Sequence, residues 1–93
     1  MHYLYILFSN SSNKYYVGET HDIQKRIIKH NQHLYANSFS KIAEDWELVL
    51  TFECDGRDNA LYLESFIKRM KSKVFIEKLI LNPQILSDIL HKK

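Results

Sequence analysis

At 93 residues, with 45% hydrophobic and 13% aromatic side chains and only two glycines and one proline, the chain has the composition of one folded domain over 1–93 and not of a disordered segment. Its single cysteine, Cys54, excludes an internal disulfide and a cysteine-built zinc site, and a net charge of +2 is too small to indicate nucleic acid without clustering of Lys and Arg. No leader-like pattern opens the chain and no apolar run approaches the roughly 18 residues of a membrane helix, so the expectation is a reducing, cytoplasmic setting with no membrane partner.

The first segment, "HYLYILF" (2–8), is aromatic and β-branched and short, as a strand should be; "SNSSN" (9–13) is a polar turn and "KYYVG" (14–18) the returning strand of a hairpin. Asp22 is placed to cap a helix over "IQKRIIKHNQ", because its carboxylate can accept the unpaired N–H groups of the first turn. That helix is expected to end between Gln32 and Leu34. The polar stretch 35–45 shows no period, and "WELVLTFE" (46–53) reads as a third strand. After the turn "CDGRD", Asp58 is expected to cap a helix over 59–71. A shorter helix covers 74–80, Asn82-Pro83 breaks it, and a last helix covers 84–91. The fold class is therefore α/β in the broad sense (α+β): a small three-stranded antiparallel sheet flanked by helices, in the order ββαβααα.

Charge is unevenly distributed along this order. Residues 1–41 carry five basic and two acidic groups, residues 42–58 one and six, and residues 59–93 seven and three. Two basic segments thus flank an acidic one. If the basic segments meet in space they can face a polyanion; otherwise they are solvated faces.

Alternation in the strands places Tyr3, Tyr5 and Leu7 on one face, and Tyr16 with Gly18 on one face of the next strand. A hairpin of this length can set Tyr5 and Tyr16 on the same side of the sheet, although strand packing alone also explains tyrosines here. On the first helix, at about 100° per residue from Ile23, Ile27 and Leu34 define the apolar stripe, with Arg26 and His30 at its border and Lys25 and Lys29 facing water. A guanidinium at a buried edge calls for a partner or an anionic ligand; the ordinary alternative is an arginine whose head reaches solvent and a histidine packed in the core. On the second long helix Ala60, Leu63, Phe66, Ile67 and Met70 form the stripe, with Glu64 at its margin. Glu64 and Lys68, four residues apart, suit a helical ion pair, or a carboxylate ligand for a hard cation beside a cleft. No Gly-rich phosphate loop or nucleophile elbow is present.

Together these residues resemble the GIY-YIG nuclease family, in particular its small stand-alone single-domain members. "YLY" (3–5) stands where the family has G-I-Y and "YVG" (16–18) where it has Y-I-G. "ETHDIQKRIIKHN" resembles its loop and helix, with Arg26 eight residues past the glycine and His30 four further on. Ala60, Glu64 and Lys68 recur at the spacing of its glutamate-bearing helix, so the likeness covers roughly residues 2–80.

The resemblance implies metal-dependent hydrolysis of DNA phosphodiesters, structure-selective or weakly sequence-specific, in DNA repair or recombination. It implies that Tyr5 or Tyr16 helps deprotonate the attacking water, that Arg26 supports the phosphate, and that His30 assists a tyrosine or the phosphate. Glu64 would bind Mg2+ or Mn2+, and Gly18, Lys25, Lys29 and Lys68 would contact substrate. Glu44 and Asp45 stand before Trp46 where small members carry basic residues, which implies a weaker grip on DNA if that loop meets the backbone, and Glu19 would add negative charge beside the site. Two rival readings remain: a catalytically weak module of the same fold that binds DNA or a protein partner, and an unrelated scaffold whose apolar segment 74–90 packs on a second copy.

Overall fold

In the computed structural model, which describes residues 1–31 and 43–93, the elements run β1 (His2–Ser9), β2 (Lys14–Thr20), α1 (Ile23–Asn31), β3 (Trp46–Cys54), α2 (Arg57–Met70), α3 (Lys73–Leu81) and α4 (Gln84–His91). The three strands form one antiparallel sheet in the order β2-β1-β3, the expected α+β architecture. The expected end of α1 at 32–34, Leu34 on its stripe and most of the polar stretch after it lie outside the described residues.

The central strand is buried on both sides. Leu4, Tyr5, Ile6 and Leu7 are all buried, and alternation sends them to two separate cores. Leu4 and Ile6 pack with Val17 and Leu50 against Ala60, Leu63 and Ile67 of α2, Leu79 of α3 and Leu86 of α4. Tyr5 and Leu7 pack on the opposite face with Ala43, Trp46, Tyr16 and, from α1, Ile23 and Ile27. Leu79 and Leu86 are fully buried in the chain's own core, where α3 and α4 pack against α2 and each other.

Local chemistry sets the boundaries. Asp22 caps α1 as expected: the Lys25 N–H donates to its carboxylate at 3.1 Å. The hairpin turn closes through Asn13, whose φ of 56° suits an asparagine better than most side chains. Asp58, in contrast, is not a cap. Helix α2 begins two residues earlier than expected, with extended Gly56 at its N-cap and Asp58 inside the first turn, where its charge still opposes the positive helix end. At the other end of α2 the stripe stops short, and Met70 is 47% exposed. Ser72 caps α3 by accepting from the Phe75 N–H, and Pro83 separates α3 from α4.

Two long-range ties hold the loops. Asn31, the last residue of α1, brackets Trp46: its amide donates to the Trp46 carbonyl at 3.1 Å and its carbonyl accepts the Trp46 N–H at 2.7 Å. Asp45 accepts from the Ser9 hydroxyl at 2.7 Å and from the Ser11 backbone and hydroxyl at 2.9 Å each. These bonds, that from Ser9 first, hold its carboxyl down at about 2.

Candidate active site

The β1–β2 register pairs Tyr5 with Gly18 and Leu7 with Tyr16, which fixes Tyr5, Tyr16 and Gly18 on the α1 side of the sheet. Tyr5 is 1% exposed, and its hydroxyl lies 2.9 Å from His30 Nε2. Gly18 is buried beneath the phenol. A Cβ there would stand 2.5 Å from the Tyr5 oxygen, so glycine is needed for room and not for an unusual backbone angle.

Helix α1 brings His30 onto this pair. Its ring centroid is 4.3 Å from that of Tyr16 and 6.1 Å from that of Tyr5, and Tyr16 also meets Trp46 edge-on at 6.2 Å. His30 is completely buried; that burial, and then the positive charge of Arg26 one turn earlier, push its pKa down from 6.5 to about 4. The imidazole is therefore neutral near pH 7, able to exchange a hydrogen bond with Tyr5 in either direction.

The same shift has a consequence for folding. Between pH 6.5 and 4 the unfolded chain binds a proton at this position that the folded chain refuses, so the stabilisation is complete above 6.5 and is lost as pH falls through about 4. At about 1.4 kcal/mol per pKa unit the loss is a few kcal/mol. Urea titrations from pH 7 to 4 should show the midpoint falling, with a clearly smaller fall in His30→Gln; parallel falls in both would refute the assignment.

The remaining expected residues divide into two groups. Arg26 is half-buried next to His30, while Lys25 and Lys29 are exposed along α1. Glu64 and Lys68 come from α2, on the other side of the sheet. Lys68 reaches past the β2 edge, where its Nζ stands 5.7 Å from the Tyr16 ring centroid and 3.0 Å from Glu64 Oε2. It thus connects the carboxylate to the tyrosine cluster.

Glu19 does not stand beside this site. It pairs with Leu4, so alternation turns it to the opposite face, where His2 and Arg57 each approach it at 3.5 Å. Asp45 is likewise committed to the hairpin serines. Cys54 is buried, and burial raises its thiol pKa, so it supplies no nucleophile.

A family model described as the GIY-YIG catalytic domain matches residues 1–78. The chain belongs to the GIY-YIG family. The solution NMR structure of the UPF0213 protein BH0048 from Bacillus halodurans is similar to this GIY-YIG fold, with a TM-score of 0.54 and 27% identity over 92% of each chain. No curated protein matches the chain. GIY-YIG catalytic domains have a nuclease-type function, which implies DNA as substrate, and generally use a divalent metal. No helix among the described residues is long and apolar enough to cross a membrane.

The donor set suits such a metal in a limited way. Among the described residues no three His, Cys, Asp or Glu side chains form a cage. Glu64 presents its carboxylate, 20% exposed and paired with Lys68, at an open concavity it shares with Ser65 and Lys68. One carboxylate fits a hard cation that retains several waters and takes further oxygens from a phosphate; it does not fit a tightly held structural ion.

Sequence reasoning missed Asn31 and the hairpin role of Asp45. An asparagine at a helix end is a weak signal for the first. Nothing local signals the second, whose partners lie 34 and 36 residues away.

Proposed function

We propose that this GIY-YIG domain is a metal-dependent DNA endonuclease, structure-selective or weakly sequence-specific, that serves DNA repair or recombination in the cytoplasm. The observation that carries the reading is the single constellation of Tyr5, Tyr16 and His30, with Arg26 at its edge and Lys68 joining it to Glu64.

Each residue has a chemical task. Tyr16, half-buried and lining an open groove, takes the proton of the attacking water. Tyr5 is too deeply buried to meet substrate; it positions His30, whose ring packs at a tilt against that of Tyr16. A phenol, ordinarily with a pKa near 10, works as a base near neutrality only beside cations, and Arg26 and Lys68 are the cations this site supplies. Arg26 faces the phosphate, where negative charge grows in the transition state. Lys25, Lys29 and Lys68 contact the DNA backbone, and Gly18 keeps the space that Tyr5 fills. Glu64 holds Mg2+ or Mn2+, which when bound neutralises charge on the phosphate and its leaving oxygen.

One observation favours the rival reading of a binding module: Lys68 already pairs with the carboxylate meant for the metal. Cleavage of single-stranded, nicked, flapped and branched DNAs with Mg2+ or Mn2+, beside Glu64→Ala purified identically, separates the two. The expected result is cutting that needs metal and falls at least about a hundredfold in the variant, the range seen when one group stabilising transition-state charge is removed. Equal cutting by both proteins, or none by either, overturns the nuclease assignment.

A further inference from the structure

Between the β-hairpin and the α2–α3 junction runs a groove of about 600 Å3 that ends at Tyr16 and Lys68. Its cationic rim comes from both basic segments of the sequence: Lys14 on the hairpin, and Lys68, Lys71 and Lys73 on the helical side. Its floor is apolar, made by Val17, Ile67 and Ile76. Tyr15 lines it as well, with Lys73 Nζ 5.9 Å from the ring centroid. Lys73 also donates to the Asn13 carbonyl at 3.3 Å, tying the hairpin to α3 at this end. Among the described residues no carboxylate lines the groove. The acidic group nearest in effect is Glu77: burial first, and then the charge of Glu77, raise the pKa of the Tyr15 phenol.

From this combination we infer that the groove holds a single-stranded segment of DNA leading into the candidate active site. The inference deepens the nuclease reading and rests on it for what happens at Tyr16. A duplex presents phosphates and hides its base faces, so it would use the lysines and leave the apolar floor and Tyr15 uncovered. A single strand offers both phosphates and base faces, the pairing that basic grooves with aromatic platforms recognise. The positive charge comes from lysines and not from helix amides, because Ser72 already caps α3.

Lys71 adds an independent observation. It ends α2 at φ 48° and ψ 40°, a left-handed position that glycine or asparagine occupies with less strain. A lysine there is poor for the backbone and well placed for a phosphate, and strain of this kind points toward a role for the side chain.

The test is fluorescence anisotropy of a labelled oligo-dT and of a blunt hairpin duplex, titrated with the full chain in EDTA at several salt concentrations. Wild type should bind the oligo-dT more tightly than the duplex. Lys71→Asn combined with Lys73→Gln should weaken oligo-dT binding roughly tenfold, and the slope of log K against log salt should fall by about 0.7 for each phosphate that is no longer neutralised. Lys71→Asn alone suits the backbone, so it should melt no lower than wild type while binding the strand less tightly, which separates removal of a phosphate partner from damage to the fold. Equal affinity for strand and duplex, or wild-type affinity and slope in the double variant, overturns the inference. Because metal is absent from the binding measurement, a protein that prefers the strand but cuts nothing refutes the nuclease reading alone, and one that cuts without strand preference refutes this inference alone.

Discussion

Gly18→Ala should melt well below wild type and lose cleavage with it. The added methyl would stand 2.5 Å from the Tyr5 oxygen, 2.7 Å from Cζ and 3.0 Å from Cε1, distances that require something to move. The usual escape, rotation of a flexible side chain, is closed: Tyr5 is 1% exposed, packed with Leu7 and Trp46, and hydrogen-bonded to His30. Overpacking a rigid core costs about 1–3 kcal/mol, and in a domain of this size each kcal/mol corresponds to a fall of roughly 4–8 °C in Tm. Whatever relief is found displaces the phenol from His30, and thereby the ring on which Tyr16 rests. Thermal melts with cleavage assays below the transition check both parts; a Tm within about 2 °C of wild type would show that the close approach of β1 and β2 at this pair is not as described.

The second expected result separates the two tyrosines. Tyr16→Phe should keep its ring contacts with His30 and Trp46 and melt near wild type, yet lose about 10²–10⁴ in rate, the contribution typical of a positioned acid or base. Tyr5→Phe should do the reverse. It deletes the hydroxyl that partners His30 Nε2 in a fully buried setting, which costs about 1–3 kcal/mol, while its effect on rate is smaller because it acts through the histidine. A Tyr5→Phe protein that melts like wild type and is as inactive as Tyr16→Phe would exchange the two roles.

The elements that local chemistry specifies were legible in the sequence. The hairpin, the Asp22 cap, the third strand and the break at Pro83 each rest on neighbours within a few positions, and the structure contains them all. The common face of Tyr5 and Tyr16 followed from period-two alternation once the hairpin was recognised, although only the pairing of Tyr5 with Gly18 makes it definite. What escaped was set by competition or by distance. Asp58 lost the cap of α2 to Gly56, where the backbone turns from extended to helical two residues earlier with no side-chain cap, and Glu19 lay on the far face because one residue along a strand inverts direction. The basic groove was visible only as two basic segments. Its walls, joined by the bond from Lys73 to Asn13, are 60 residues apart in sequence, beyond any periodicity.

The double burial of β1 reaches beyond packing. A strand with no solvent-facing side between Leu4 and Leu7, hydrogen-bonded on both edges, exchanges its amide protons only when the whole domain opens, and Tyr5 sits in the middle of it. The foundation of the candidate site therefore belongs to the last part of the molecule to unfold. Because Leu79 and Leu86 of the C-terminal helices share the core with Leu4 and Ile6, inactivation by heat is expected to coincide with global unfolding instead of preceding it.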